Sequence, residues 1–134
     1  MKISRGGPPS VERNTRQRGA IRRAFQRTNR PLGTAEVLEE ARSEVGGVGI
    51  ATIYRNIRTL LDEGWLEQID LPGEVPRYEM AGKAHHHHFR CVQCNRVYDI
   101  PGCVASLQQL VPPGFALQRH ELVLYGSCDA CIAS

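Results

Sequence analysis

Apolar residues recur through the first half of the chain at helical spacing, and the period changes to two near Gly64. Ile21, Ala24 and Phe25 form a thin stripe in an arginine-rich run ending at Thr28, which predicts a first helix capped by Ser10 or Asn14. Asn29-Arg30-Pro31-Leu32-Gly33 interrupts it. Thr34 then reads as the N-cap of a second helix with an acid in its first turn, its apolar positions Val37, Leu38, Ala41 and Val45 ending before Gly46-Gly47. A third helix is predicted from about Ile50 to Glu63, with Ile50, Ile53, Ile57, Leu60 and Leu61 on one face. Thr52, Arg55, Asn56 and Thr59 lie opposite, an outer face of uncharged polar groups and arginine that suits base edges and phosphates. Tyr54 falls at the edge of the apolar stripe, either packed there or reaching outward.

After Gly64, residues 65–71 alternate like a strand, Pro72-Gly73-Glu74 marks a turn, and residues 75–80 form the return strand. Three helices followed by a hairpin predict a winged helix-turn-helix over residues 1–80, with residues 1–9 a flexible arm. Residues 81–84 read as a hinge. A second, smaller α/β domain over residues 85–134 is expected to hold strands near His87–Arg90 and Arg96–Ile100, a helix near Val104–Val111, and a strand within Ala116–Tyr125. The fold class is α+β, in two lobes that are each marginal unaided.

Charge sharpens this picture. The formal net charge is +3, yet residues 1–30 hold nine Lys/Arg against one acid, Glu12, which makes that segment +8 and leaves −5 for the remainder. A basic end on an acidic remainder points to a polyanion partner for that end alone, against the plainer reading of a solvated basic helix. No apolar run is long enough to span a bilayer, and Met1-Lys2-Ile3 does not open a signal peptide. A cytoplasmic protein without a membrane partner or small-molecule substrate is therefore expected.

The densest chemistry lies in A-H-H-H-H-F-R-C-V-Q-C, residues 84–94. Cys91-x-x-Cys94 and Cys128-x-x-Cys131, separated by 33 residues, place two thiolate pairs on two turns, a four-sulfur set suited to structural zinc. Two disulfides or buried free thiols are the competing readings, the disulfides disfavoured without an export signal. Cys103 is left over, read as a packed thiol after Pro101-Gly102. On a strand the four histidines alternate, so His85 and His87 face one way, His86 and His88 the other. Glu79 and Asp99 are the nearest acids able to join one pair, and His120 is the remaining histidine for the other. Mixed imidazole and carboxylate donors suit iron(II), manganese(II) or zinc(II).

From about Thr15 to Cys131 the chain resembles the ferric uptake regulator family. The resemblance rests on G-I-A-T-I-Y-R-N-I (49–57), R-Y-E (77–79), H-H-H-H-F-R-C-V-Q-C (85–94) and H-E-L-V-L-Y-G-S-C-D-A-C (120–131). It implies a homodimeric, metal-dependent repressor of metal homeostasis that binds double-stranded DNA at a palindromic operator. The N-terminal winged helix binds DNA and the C-terminal α/β domain dimerises. By resemblance, structural zinc falls on Cys91, Cys94, Cys128 and Cys131, and the regulatory divalent metal on Glu79, His86, His88 and Asp99. A further site falls on His85, His87 and His120, and the DNA-facing residues are Arg16, Thr52, Tyr54, Arg55 and Asn56. The chain departs from the family pattern at Leu32 and Ser106, the positions aligned with a histidine and a glutamate ligand. Asp99 is the residue type of the peroxide-sensing branch, which makes peroxide sensing the alternative reading. A metal-storage or chaperone protein is the rival of another class. An enzyme is not expected: a zinc hydrolase needs an open water position and a general base, and no HExxH-like spacing occurs.

Overall fold

The computed structural model describes residues 9–104 and 106–134, with side chains from Glu12 onward. Its contacts divide the chain into two compact units, the first ending at Ala81 and the second spanning Gly82–Ser134.

The first unit is built from α1 (Pro9–Thr28), α2 (Thr34–Arg42), α3 (Ile50–Asp62), β1 (Leu66–Ile69) and β2 (Arg77–Met80). Residues 1–8 of the expected arm lie outside the described residues. Pro9 already belongs to α1, so Ser10 and Asn14 sit within the helix rather than capping it; proline suits a first turn, where its missing N–H would have no partner anyway. The stripes read from the sequence form the core, with Ile21, Phe25, Val37, Ile53 and Leu60 fully buried, and Leu32 of the α1–α2 connection joins them. Phe25 meets Trp65 edge-on at 6.3 Å between centroids. Leu32 pairs with Tyr78 through N–H···O bonds of 2.8 and 2.9 Å, which ties the α1–α2 connection to β2. The hairpin is antiparallel, with Leu66 opposite Met80 and Glu67 opposite Glu79.

Several expectations need correction here. Gly33, not Thr34, is the N-cap of α2, and its N–H donates to Glu36 Oε1 at 3.1 Å, satisfying an orphan donor without a side-chain cap. The helix ends at Arg42, short of Val45. Ile50 is 44% exposed, because it opens α3 before the helix reaches the core. Asn56 does not lie on the outer face of α3. It is 3% exposed; its Oδ1 accepts from Arg18 Nε at 3.0 Å and its Nδ2 donates to Thr52 O at 2.9 Å. Tyr54, by contrast, is 57% exposed, and Arg55 is exposed with Nη2 3.1 Å from Thr52 Oγ1.

The basic segment is also less available than its formal charge implies. Arg22 pairs with Glu63, Arg23 with Glu44, Arg27 with Glu40 and Arg30 with Glu36. These arginines fasten α1 and its connection to α2 and to the end of α3, while Arg13 and Arg16 are exposed. Asn56→Ala is accordingly expected to cost about 1–3 kcal/mol by stripping partners from a buried network. Thermal unfolding checks this: a lowered midpoint is expected, and an unchanged one places Asn56 outside the fold's hydrogen bonding.

The second unit holds β3 (His86–Cys91), β4 (Val97–Pro101), β5 (Val123–Gly126) and the short α4 (Asp129–Ala133). The strand order is β4-β3-β5, antiparallel on one side of β3 and parallel on the other. The helix expected near Val104–Val111 is only a 3-10 turn, Leu107–Leu110. Short helices need tertiary packing to persist, and Leu110 is 78% exposed. Buried apolar residues are few here, Cys91, Val97 and Cys128 among them, whereas Phe115, Leu124, Tyr125 and Ile132 are more exposed than buried or nearly so.

Candidate metal centres

The Cys-x-x-Cys pair at the end of β3 turns on itself: Asn95, at φ 65°, closes the knuckle, donating its N–H to Cys91 O at 2.9 Å. The second pair flanks the start of α4. All four sulfurs converge, with their Sγ atoms within 4.8 Å of one another. Cys91 and Cys131 are 3.7 Å apart and Cys94 and Cys128 3.8 Å. Zinc–sulfur bonds of about 2.3 Å in a tetrahedron give edges of about 3.8 Å, whereas a disulfide needs about 2.05 Å. The spacing therefore fits a four-thiolate zinc site and excludes the disulfide reading. The N–H groups of Cys94 and Cys128 point at Cys91 Sγ, at 3.5 and 3.3 Å. These donors lower the Cys91 pKa to about 6, with Cys94's first, against the opposing effect of burial. Cys131 is pushed up to about 12 by its contacts with the Cys128 and Cys91 sulfurs. The pKa of Cys128 is lowered first by the backbone N–H of Cys131 and then by a hydrogen bond from the side chain of Tyr98, a residue not foreseen from the sequence.

Strand register builds the second cluster. His88 stands directly opposite Asp99 on β4, so the two side chains share a face, and alternation adds His86. Asp99 Oδ1 lies 3.6 Å from His86 Nε2 and 3.6 Å from His88 Nε2, too far for hydrogen bonds but a fitting ligand-to-ligand separation around a bound cation. The other carboxylate oxygen, Oδ2, is held by the Lys83 ammonium. His86 Nδ1 donates to Ala84 O at 2.8 Å, which leaves Nε2 with the lone pair. Lys83 thus orients the carboxylate as the Ala84 carbonyl orients the imidazole. Lys83→Ala is expected to weaken divalent-metal binding by roughly 10–100-fold, the usual cost of losing such a support; equilibrium titration with manganese(II) measures it, and undiminished affinity refutes the role. Glu79, the fourth residue expected in this set, stands on β2 in the first unit, opposite Glu67.

On the other face of β3, His85, His87 and His120 come together as alternation anticipates, the His87 and His120 Nε2 atoms 3.2 Å apart. His87 is buried, and that burial, followed by the neighbouring His85 and His120, lowers its pKa and favours the neutral, ligating form. Cys103 corrects the sequence reading: it is an exposed residue whose Sγ lies 3.2 Å from His87 Nε2 and 2.9 Å from His120 Nε2, not a packed thiol. Leu32, aligned with a family ligand, is a core residue.

Residues 11–125 match the model of the ferric uptake regulator family. The chain belongs to the ferric uptake regulator family. Among curated relatives, the ferric uptake regulation protein of Campylobacter jejuni is 33% identical over 87 residues, 63% of this chain and 55% of that protein. The protein of the same description from Cupriavidus metallidurans is 32% identical over 107 residues, 76% of this chain and 75% of its own length. A solved structure of a zinc-bound manganese uptake regulator superposes with a TM-score of 0.74 at 25% identity, covering 84% of this chain and 87% of that one. The matches to the first curated relatives span little more than half their length, 55% and 56%. The α+β architecture is the one the resemblance implied. No helix among the described residues is long and apolar enough to cross a membrane.

Proposed function

We propose that the chain is a homodimeric, metal-dependent transcription regulator that binds a two-fold symmetric DNA operator and acts as a repressor of metal homeostasis. The observation that carries this reading is the pairing of one sulfur-only cluster with a separate sulfur-free cluster in a chain of this family. Four thiolates leave no open position and suit permanent zinc, whereas imidazoles and a carboxylate suit an exchangeable divalent ion.

Cys91, Cys94, Cys128 and Cys131 would bind the structural zinc, joining the end of β3 to the start of α4. His86, His88 and Asp99, with Glu79 from the first unit, would ligate the regulatory iron(II), manganese(II) or zinc(II). Glu79 enters through the family resemblance and through chemistry, since it faces Glu67 across the hairpin and like charges so placed gain from a nearby cation. A divalent ion supplies charge neutralisation and a geometric constraint. With ligands drawn from both units, its binding favours one arrangement of them only by the difference in its affinity for the arrangements. Thr52, Tyr54 and Arg55 on α3 are the proposed DNA contacts, with Arg16 on α1 at phosphate; buried Asn56 is withdrawn from that set. The exposed apolar side chains of the second unit, Leu124 and Tyr125 on edge strand β5 among them, are the proposed dimer surface.

The test uses duplexes selected from a random pool by the manganese(II)-loaded protein. Binding to the selected duplex that needs the metal supports regulation; metal uptake without any selected sequence supports storage instead. Loss of binding on peroxide treatment of the iron(II) form, retained in the manganese(II) form, supports the peroxide-sensing alternative that Asp99 favours.

A further inference from the structure

Gly102, at φ +86°, reverses the chain just after β4. That reversal brings Cys103 back over the face of β3 that carries His87. Three potential ligand atoms, Cys103 Sγ, His87 Nε2 and His120 Nε2, then lie within 3.2 Å of one another. His85 joins them, its ring 4.6 Å from that of His87 and 5.1 Å from that of His120. The glutamate usual in the family has no counterpart in this group: Ser106, its aligned position, is exposed at the start of the 3-10 turn.

We propose that Cys103 is a metal ligand, closing His85, His87 and His120 into a four-ligand site of three nitrogens and one sulfur for zinc or another thiophilic divalent ion. Three lone-pair atoms converging on one point are satisfied together by a cation but only pairwise by hydrogen bonds. The 3.2 Å edge between His87 and His120 is close to the roughly 3.3 Å of a tetrahedron with zinc–nitrogen bonds of about 2.05 Å. The sulfur–nitrogen edges of 3.2 and 2.9 Å are shorter than the roughly 3.6 Å of a mixed tetrahedron. Loading therefore draws Cys103 Sγ back by a few tenths of an ångström, a shift open to an exposed side chain beside a glycine turn. On binding, the S–H bond breaks, the sulfur–metal bond forms, and the proton leaves to solvent. The thiolate offsets part of the divalent charge among three neutral imidazoles. It also biases the site away from manganese(II), which the sulfur-free cluster accommodates better.

This inference concerns ligation alone and is read without DNA, so it stands or falls separately from the proposed regulation. The full chain is loaded with zinc, its exchangeable metal is removed with EDTA, and one zinc per chain retained in the four-cysteine cluster is verified. Cobalt(II) is then added to saturation under conditions that release no zinc. A thiolate-to-cobalt charge-transfer band and intense tetrahedral d–d bands are expected in the parent chain. In Cys103→Ser the charge-transfer band disappears while the retained zinc is unchanged, and the site's zinc affinity falls by more than the roughly 10–100-fold typical of losing a supporting contact. As a second measure, zinc is expected to protect Cys103 from alkylation, read by peptide mass. A cobalt complex without the thiolate band, the same band in Cys103→Ser, or alkylation indifferent to zinc overturns the proposal.

Discussion

Cys91→Ser is expected to unfold the second unit rather than trim a surface site. Among the described residues only a handful of apolar side chains are buried there, so the four-sulfur cluster stands where a larger core would otherwise be required. Cys91 is fully buried at the centre of that cluster, accepting N–H groups from both knuckles. Apparent zinc binding in small sites of this kind supplies about 10–16 kcal/mol, which is folding free energy when no preformed site exists in the unfolded chain. A three-sulfur remnant would keep only part of that. Zinc content is expected to fall below one equivalent, and calorimetry is expected to lose the transition of the second unit. The first unit, with its own core around Phe25, Ile53 and Leu60, is expected to retain one. A fully folded, zinc-free Cys91→Ser chain would show that the cluster is not structural.

His88→Ala is expected to separate metal sensing from DNA binding. His88 faces Asp99 across the β3–β4 pair, and its loss breaks the sulfur-free cluster without touching the four cysteines. Coupling between an effector and a second ligand commonly amounts to a factor of about 5–150. The variant is expected to bind a selected duplex only as well as metal-free parent chain does, whatever the manganese(II) concentration. Its structural zinc is expected to stay in place. Metal-enhanced DNA binding preserved in His88→Ala would remove this cluster from the regulatory role.

Much of the architecture was legible because it follows from period and punctuation. The stripe through Ile21, Phe25, Ile53 and Leu60 announced the helical core, and Gly64 with Pro72-Gly73 announced the hairpin. Alternation on β3 separated His86 and His88 from His85 and His87, and the paired Cys-x-x-Cys spacing located the sulfur cluster. What escaped depends on where side chains end rather than where they start. Asn56 sits on the polar side of α3 by spacing, yet Arg18 of α1 reaches across and draws it into a buried bond. Four arginines counted as free charge meet glutamates instead, from Arg30 with nearby Glu36 to Arg22 with Glu63 at the end of α3. Cys103 looked incidental because its approach to His87 and His120 depends on a left-handed glycine turn. The helix expected near Val104–Val111 is only a 3-10 turn, none of whose residues is buried.

Operator affinity at fixed ionic strength, with and without a divalent metal in chain whose four-cysteine cluster is kept filled, tests the central claim most directly. Fluorescence anisotropy on the selected duplex, with manganese(II) and then with EDTA, is expected to show binding about 5–150-fold tighter in the presence of metal. A duplex bound equally well in both conditions would contradict metal control.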